Sequence, residues 1–155
     1  MMRKIKIKKT NNPDYGYTNQ EELYAETTQH QQDVCRVMYE LAKILMKRGE
    51  IHDWTKKKYF QDFANDTLER LDTPDFKSRE WYKTHTTLER HHINANVPDD
   101  VDLIDCLEMI VDCVCAGKSR SGEVNPSFLI LKEGALEKAY WNTVNKISNN
   151  VILED

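Results

Sequence analysis

The stretch that decides the fold is EELYAETTQHQQDVCRVMYELAKILMKRG, residues 21–49. Its apolar residues recur at steps of three, four and seven, which is the spacing of one face of an α-helix. Asn19 just ahead of it can cap the helix, and Gly49 can end it behind two basic residues. The pattern therefore predicts one long helix whose inward face includes a histidine. The residues of that face are Leu23, His30, Val34, Val37, Leu41 and Ile44.

Two more helices are predicted after this one. The first begins directly after His52-Asp53 and covers WTKKKYFQDFANDTLERL, residues 54–71. The sequence DTPDF, residues 72–76, then breaks the chain because proline cannot continue a helix. The other covers KSREWYKTHTTLERHH, residues 77–92. Buried positions are expected on the first of the two, at Phe60, Phe63 and Leu71.

The C-terminal part predicts two further helices. The first covers VDLIDCLEMIVDCVCAGK, residues 101–118. Asp99 or Asp100 can start this helix, and it is expected to end near Gly117. FLILKEGALEKAYWNTVNKIS, residues 128–148, forms the last helix, ahead of a short tail. Five or six helices joined by short polar loops favour an all-α fold.

The helices are expected to form a single-domain bundle over residues 20–150, preceded by an N-terminal arm at residues 1–19. The arm contains the alternating RKIKIKK and the turn-rich NNPDYGYTN. These two patterns leave open whether the arm is a short strand or a loose segment.

Composition excludes several classes of protein. The net charge of −4 argues against a protein that coats nucleic acid. No apolar run approaches 18 residues, and the basic start is not followed by the apolar segment of a signal peptide, so no membrane association is expected. The four cysteines form no CxxC pair, which disfavours a structural zinc site. Those in the predicted helix at 101–118 are expected to be small buried apolar groups in a reducing cytoplasm.

Two sets of polar residues that could carry chemistry lie on the third and fourth helices. His85 and His92 are seven residues apart, so they share a face if the helix persists. Asp105, Glu108 and Asp112 follow a three-then-four spacing and also share a face. Carboxylates on an inward stripe are costly to bury unless they are paired or bound to metal. Imidazoles with carboxylates are the ligands that Mn, Fe, Co, Ni and Zn prefer.

All five histidines fall in a recognisable order with two aspartates: His30, His52-Asp53, His85, His91-His92 and Asp112. This order resembles the HD superfamily of metal-dependent phosphohydrolases, whose minimal signature is H…HD…D on a helical bundle. HDWTK, EWYKTH, RHH and LEMIVD look more narrowly like an uncharacterised HD-like family of bacteria and phages. That family has HDxSK, an aromatic W…H element, HH and EMxxDW. Thr55 stands here for the serine, and Cys113 for the tryptophan.

The resemblance implies two metal positions. The first is held by His30, His52, Asp53 and Asp112. Asp53 bridges to a second ion, whose other ligands are His85 and either His91 or His92. Helical phase favours His92, whereas binuclear relatives often use the first histidine of such a pair. Asp105 is a rival to Asp112 as the last ligand, and the EMIVD match favours Asp112.

Other residues gain roles from the same resemblance. Glu108 would orient a ligand histidine from behind. Lys56 matches the lysine that faces substrate phosphate in many relatives, with a solvated surface lysine as the alternative. Lys118 and Arg120, in the loop expected after the fourth helix, are further candidates to bind phosphate.

The expected function is metal-dependent hydrolysis of a nucleotide phosphoester by a metal-activated water. The substrate would be a nucleoside mono- or triphosphate or a cyclic nucleotide. Catalysis would centre on Asp53 and Lys56, with one or two divalent ions, Mn, Fe, Co, Ni or Zn, and with Mg also admitted. Two alternatives are a di-iron oxygenase of the HD type and a non-catalytic helical binding module with a structural metal site. A homodimer is compatible with the expected function and with both alternatives.

Overall fold

The computed structural model describes residues 2–9, 19–68 and 76–154. The predicted all-α fold is confirmed. Three predicted features lie outside the described residues. They are the turns at 11–18, the buried position at Leu71 and residues 72–75 of the break. The described helices are α1 Gln20–Glu50, α2 Trp54–Lys58, α3 Phe60–Leu68, α4 Glu80–Leu88, α5 Leu103–Ser121 and α6 Ala135–Ser148. Shorter elements are the 3-10 turns Phe76–Ser78 and Pro126–Leu129 and the strands β1 Ile5–Ile7 and β2 Val151–Leu153.

The chain divides into two compact units, one of residues 1–47 with 143–155 and the other of residues 48–142. In the first unit, β1 and β2 pair in parallel, with Ile5 opposite Val151. The Ile5 amide also donates to the carbonyl of Asn150 at 2.8 Å. The alternating segment of the predicted arm is therefore a strand, one of the two alternatives that its sequence allows.

Helix α1 begins as predicted, because Asn19 Oδ1 accepts from the Glu22 amide at 2.9 Å. It ends at Glu50, one residue beyond the predicted Gly49. The predicted inward face is wrong at its first turns, where Leu23, His30 and Val34 are exposed. Apolar side chains occur all around α1, so their spacing does not single out a buried side. Exposed examples elsewhere on the helix are Tyr24, Met38, Tyr39 and Met46.

The predicted helix at 54–71 is two helices, α2 and α3. Tyr59 separates them with a non-helical backbone (φ −111°, ψ 44°), and its amide still donates to the Thr55 carbonyl at 2.8 Å. Phe63 packs against Trp81, with ring centroids 4.7 Å apart. Phe60, predicted to be buried, is exposed, because the break at Tyr59 changes the direction in which the side chains of α3 point.

Helix α4 is shorter than the predicted 77–92. It ends at Leu88, where Glu89 adopts an extended backbone (φ −86°, ψ 111°). His91 and His92 therefore lie in a turn, held by a bond from the His92 amide to the Glu89 carbonyl at 3.2 Å. The helical phase that favoured His92 as a ligand does not apply to this segment.

Helix α5 begins later and ends later than predicted. Its cap is Asp102 rather than Asp99 or Asp100: the Asp102 carboxylate accepts from the amides of Ile104 at 2.9 Å and Asp105 at 3.1 Å. Asp105 completes a capping box by accepting from the Asp102 amide.

The C-terminal end of α5 is Ser121, capped by Gly122 with φ 78°. Gly117, where the sequence predicted the end, lies inside the helix, and the backbone of Glu123 approaches it closely. A Cβ at position 117 would lie 2.6 Å from the Glu123 carbonyl oxygen. Lys118 and Arg120 are thus in the last turn of α5, not in a loop. The last predicted helix is also shorter, since α6 begins at Ala135 after Gly134 (φ 74°).

The core of the second unit lies between α5, α6 and the segment that precedes α5. Cys106 on α5 belongs to this core, as predicted. Cys113 is half-buried and Cys115 is exposed, so the prediction that all three cysteines of the helix are buried is wrong. No helix in the described ranges is long and apolar enough to cross a membrane. The buried core residues are Ile93, Val101, Cys106, Met109 and Ala139.

Candidate metal centre

Histidine and carboxylate side chains of the second unit converge from α4, α5 and two turns. They form three overlapping groups that could hold a metal ion, with ligand atoms within 4.8 Å of one another in each group. The first contains Asp53, His85, His91 and His92. The second contains His52, His91 and Glu108, and the third contains His52, Asp53 and Asp112.

Asp53 lies at the centre of these groups. It precedes α2 with a left-handed backbone (φ 57°, ψ 29°), and it is the only described residue other than glycine with a positive φ. Such strain is typical of functional sites. Asp53 Oδ1 lies 3.5 Å from His85 Nε2 and 3.7 Å from His91 Nε2. Asp53 Oδ2 accepts from Lys56 Nζ and lies 3.5 Å from His52 Nε2.

Glu108 orients two histidines with one oxygen atom. Its Oε1 lies 3.1 Å from His52 Nδ1 and 3.3 Å from His91 Nδ1. An ionised carboxylate only accepts, so His52 carries a proton on Nδ1 in its contact with Glu108, and Nε2 of both rings faces Asp53. Arg48 holds the other oxygen, with its Nε 2.7 Å from Glu108 Oε2. This is the contact expected of a residue that orients ligand histidines.

His85 is fixed on three sides. The indole ring of Trp81 stacks on it, with centroids 4.8 Å apart and an interplanar angle of 15°. Its Nδ1 lies 2.6 Å from Thr55 Oγ1. Its Nε2 lies 2.8 Å from His92 Nε2. The turn that follows α4 thus brings His92 to His85, although the two residues do not share a helix.

The structure places both members of the His91-His92 pair in the same ligand group. His91 Nε2 faces Asp53, and His92 Nε2 faces His85. The pair can therefore supply two ligands, where the resemblance implied a choice between them.

The rival aspartates of α5 have different partners. Asp105 is buried and occupied: it accepts from Arg48 Nη2 at 2.9 Å and from Arg90 Nε and Nη2 at 3.0 and 2.7 Å. Asp112 is half-buried, and its Oδ1 lies 3.4 Å from His52 Nε2. Asp105 is paired with arginines, and Asp112 is the aspartate of α5 that joins a ligand group.

Charges at the site shift its titration. Asp112 and Glu108 raise the pKa of His52 to about 10. Burial lowers the pKa of His85 to about 4 and that of His92 to about 3, so these two imidazoles are neutral at pH 7. Burial opposes ionisation of Glu108, but hydrogen bonds from His52, His91 and Arg48 hold its pKa well below the usual range.

The donor set fits a divalent ion. Asp53 Oδ1 and His91 Nε2 are buried and have no hydrogen-bond partner in the described part of the chain, although they face each other at 3.7 Å. Two ligands of one tetrahedral ion stand about 3.4 Å apart, given bonds of about 2.0–2.1 Å. Buried polar atoms are normally paired, and an ion between these two would satisfy both.

A family model matches residues 19–151, a range that includes every residue of the three groups. The chain belongs to a family of unknown function (DUF5662). No curated protein and no solved structure shows a significant match to the chain. The family match therefore leaves the chemistry of the site to be argued from its own residues.

Three of the predicted site residues are not members of these groups. His30 belongs to the other unit, where it is exposed on α1, and its role as a ligand stays a prediction. Lys118 and Arg120 are exposed near the end of α5, about 9 and 12 Å along the helix from Asp112. Lys118 Nζ donates to the Gly122 carbonyl at 3.0 Å. A phosphate-binding role for these two residues also stays a prediction.

The residues that hold the ligands in place were not predicted from the sequence. Arg48 and Arg90 read as ordinary basic residues at a helix end and beside a histidine pair. Glu89 belongs to no motif in the sequence, and Thr55 differs from its neighbours there only in replacing the serine of HDxSK. One signal was available: the spacing of Asp105 and Glu108 places both carboxylates on an inward helix face, and buried carboxylates require cationic partners somewhere in the chain.

Proposed function

We propose that the protein is a metal-dependent phosphohydrolase of the HD type that hydrolyses a phosphoester of a nucleotide. The observation that carries the proposal is the position of Asp53. One of its oxygens faces His85 and His91, and the other faces His52. A carboxylate placed between two sets of nitrogen ligands is suited to bridge two ions.

The residues that would hold the ions include both kinds of ligand that first-row divalent metals accept. We propose one or two ions of Mn, Fe, Co, Ni or Zn, with Mg also admitted. When bound, such ions supply Lewis acidity and lower the pKa of a water molecule toward neutrality. The proposed ligands are His52, Asp53, His85, His91, His92 and Asp112.

The exposure of the side chains gives the site a closed side and an open side. His85 and His91 have side chains 4% and 1% exposed, whereas those of His52, Asp112 and Lys56 are 26%, 29% and 32% exposed. A substrate would therefore approach the site from the side of His52, Asp112 and Lys56. Its phosphate would contact these exposed side chains first.

Lys56 is the cation on that open side. Its ammonium group contacts Asp53 Oδ2, so it lies beside the carboxylate that would bridge the ions. A phosphate oxygen at this position would gain a charge-assisted hydrogen bond. In the transition state Lys56 would offset charge on the non-bridging oxygens. The nucleotide class of the substrate comes from the HD resemblance, and the free cysteines are consistent with a reducing cytoplasm.

The test combines elemental analysis of the purified protein with a panel of nucleoside mono- and triphosphates and cyclic nucleotides. Each substrate is assayed with Mn, Co and Mg. We expect bound metal and phosphoester hydrolysis that Asp53→Asn reduces by about 10²–10³-fold, the range seen when one essential electrostatic group is removed. The matched control is Asp99→Asn, which changes an exposed aspartate paired with Lys138 and should leave activity unchanged.

Other results would replace the proposal. Metal without hydrolysis of any substrate, together with a large fall in stability on chelation, would indicate a structural metal site. Bound iron with an oxygen-dependent optical spectrum would favour the oxygenase alternative.

A further inference from the structure

A buried chain of hydrogen bonds runs behind His85. Glu89 Oε1 accepts from the Thr55 hydroxyl at 2.7 Å and from the Thr55 amide at 2.8 Å. Thr55 Oγ1 lies 2.6 Å from His85 Nδ1. Thr55 is fully buried, and the other two residues are nearly so. The chain joins the first turn of α2 to the end of α4.

The proton positions in this chain follow from its donors and acceptors. The Glu89 carboxylate, when ionised, can only accept. The single hydroxyl proton of Thr55 is therefore used toward Glu89, and the Thr55 oxygen must accept from His85. His85 then carries its proton on Nδ1, which leaves a bare lone pair on Nε2. That lone pair faces Asp53 Oδ1 and His92 Nε2.

We propose that Thr55 is a positioning residue that relays the charge of Glu89 to His85 and fixes His85 as a neutral ligand with a free Nε2. The inference rests on the metal centre proposed above, but not on the reaction that this centre performs. It extends the part played by Glu108, whose Oε1 contacts His52 Nδ1 at 3.1 Å and lies 3.3 Å from His91 Nδ1. A carboxylate would then lie behind each of the three rings, on the side away from Asp53.

The reverse tautomer of His85 is disfavoured by the same contacts. A proton on Nε2 would leave Nδ1 as an acceptor opposite an oxygen whose proton is already committed to Glu89. Two lone pairs would then face each other at 2.6 Å. Reorientation of the ring is opposed by the stacked indole of Trp81. Orientation of this kind typically changes metal affinity by about 10–100-fold.

The experiment compares variants that differ in the hydroxyl alone. Thr55→Val removes the hydroxyl and keeps the shape, and Thr55→Ser keeps the hydroxyl. The matched control is Thr86→Val, since Thr86 is also buried but its hydroxyl donates only to the helix carbonyls of Tyr82 and Lys83. Zn²⁺ affinity is measured by competition with a chromophoric chelator. The tautomer of His85 is measured from ¹⁵N chemical shifts in the metal-free protein.

We expect Thr55→Val to weaken Zn²⁺ binding by about 10–100-fold, and Thr55→Ser and Thr86→Val to stay within about threefold of the unsubstituted protein. The ¹⁵N shifts should report the Nδ1–H tautomer in every protein except Thr55→Val. Unchanged affinity in Thr55→Val, or an Nε2–H tautomer in the unsubstituted protein, would overturn the relay. If Thr55→Val does not fold, Glu89→Leu, which removes the acceptor of the Thr55 hydroxyl, takes its place with the same expectations.

The two proposals fail in different ways. If the unsubstituted protein binds no Zn²⁺, the metal centre fails while the tautomer measurement still decides the relay. A double variant adds a further test, because Thr55 and Glu89 act in series. Thr55→Val combined with Glu89→Leu should weaken Zn²⁺ binding by no more than about threefold beyond whichever single variant binds Zn²⁺ more weakly. Effects that multiply would show that the two residues act independently and would overturn the relay.

Discussion

Replacing Glu108 with glutamine should weaken the metal centre and the fold together. The Glu108 carboxylate accepts from His52 through Oε1, which also lies 3.3 Å from His91 Nδ1, and from Arg48 through Oε2. Glutamine has only one acceptor oxygen, so its NH₂ group must face either the arginine or the two histidine Nδ1–H groups. In both orientations, donors face donors at a buried position.

The size of both effects follows from the kinds of contact that are lost. Breaking a buried charged pair from one side typically costs about 3–5 kcal/mol in the free energy of unfolding. Each histidine that loses its orienting partner loses about 10–100-fold in metal affinity. Because two histidines are affected, we expect Glu108→Gln to weaken Zn²⁺ binding by at least about 100-fold. Urea unfolding with a chelator present measures the first quantity, and chelator competition measures the second.

Asp105→Asn is the control that separates the two effects. Asp105 accepts from the same Arg48 and from Arg90, but none of its described hydrogen bonds or ion pairs involves a histidine. It should lower the free energy of unfolding by a similar amount and change Zn²⁺ affinity by less than about threefold. If it is too unstable to purify, Arg90→Lys gives a milder loss of the same bidentate contact. Glu108→Gln with unchanged affinity for Zn²⁺ would refute the reasoning.

Three further predictions concern stability. The free energy of unfolding should be about 1–2 kcal/mol higher for Asp53→Gly than for Asp53→Ala, because only glycine adopts φ 57° without strain. Urea unfolding with a chelator present measures both values, and equal stabilities would contradict the strain. Gly117→Ala should lower the melting temperature, since its Cβ would meet the Glu123 backbone at 2.6 Å; a higher melting temperature, as alanine usually gives in a helix, would contradict this packing. The metal-free protein should lose stability on both sides of about pH 6.5. Below that pH, His85 and His92 bind protons in the unfolded chain but not in the folded one, because their folded pKa values are lowered to about 4 and about 3. Above pH 6.5, the stability that protonated His52 contributes is lost progressively until about pH 10, because its folded pKa is raised to about 10. Urea unfolding from pH 4 to 10 checks this, and a flat profile would contradict it.

The sequence predicts the helices better than it predicts their ends. A run of apolar residues at helical spacing is sufficient to locate α1 and α5. The end of α4 at Leu88 depends instead on Glu89, whose carboxylate bonds to Thr55, 34 residues earlier in the chain. The break at Tyr59 likewise leaves no mark in the helical pattern of residues 54–71. Local spacing carries no information about such distant partners.

The pairing of His85 with His92 illustrates a correct expectation with a wrong cause. Their seven-residue spacing predicted a shared helix face, yet the helix ends between them. The turn beyond Leu88 then folds His92 back until the two Nε2 atoms are 2.8 Å apart. The sequence also left Asp105 and Asp112 as rivals. Only the positions of Arg48 and Arg90 distinguish a carboxylate that is already neutralised from one that joins a ligand group.

The adjacency of His52 and Asp53 is explained by the backbone between them. Consecutive residues of a helix point about 100° apart, so neighbours in an unbroken helix do not face a common centre. Here α1 has ended at Glu50, and Asp53 takes the left-handed conformation before α2 begins. That conformation brings His52 Nε2 and Asp53 Oδ2 to 3.5 Å and leaves Asp53 Oδ1 free to face His85 and His91. A residue that relaxed to a helical φ would lose one of these two sets. The strain at Asp53 is therefore the local cost of letting one carboxylate reach both groups of ligands.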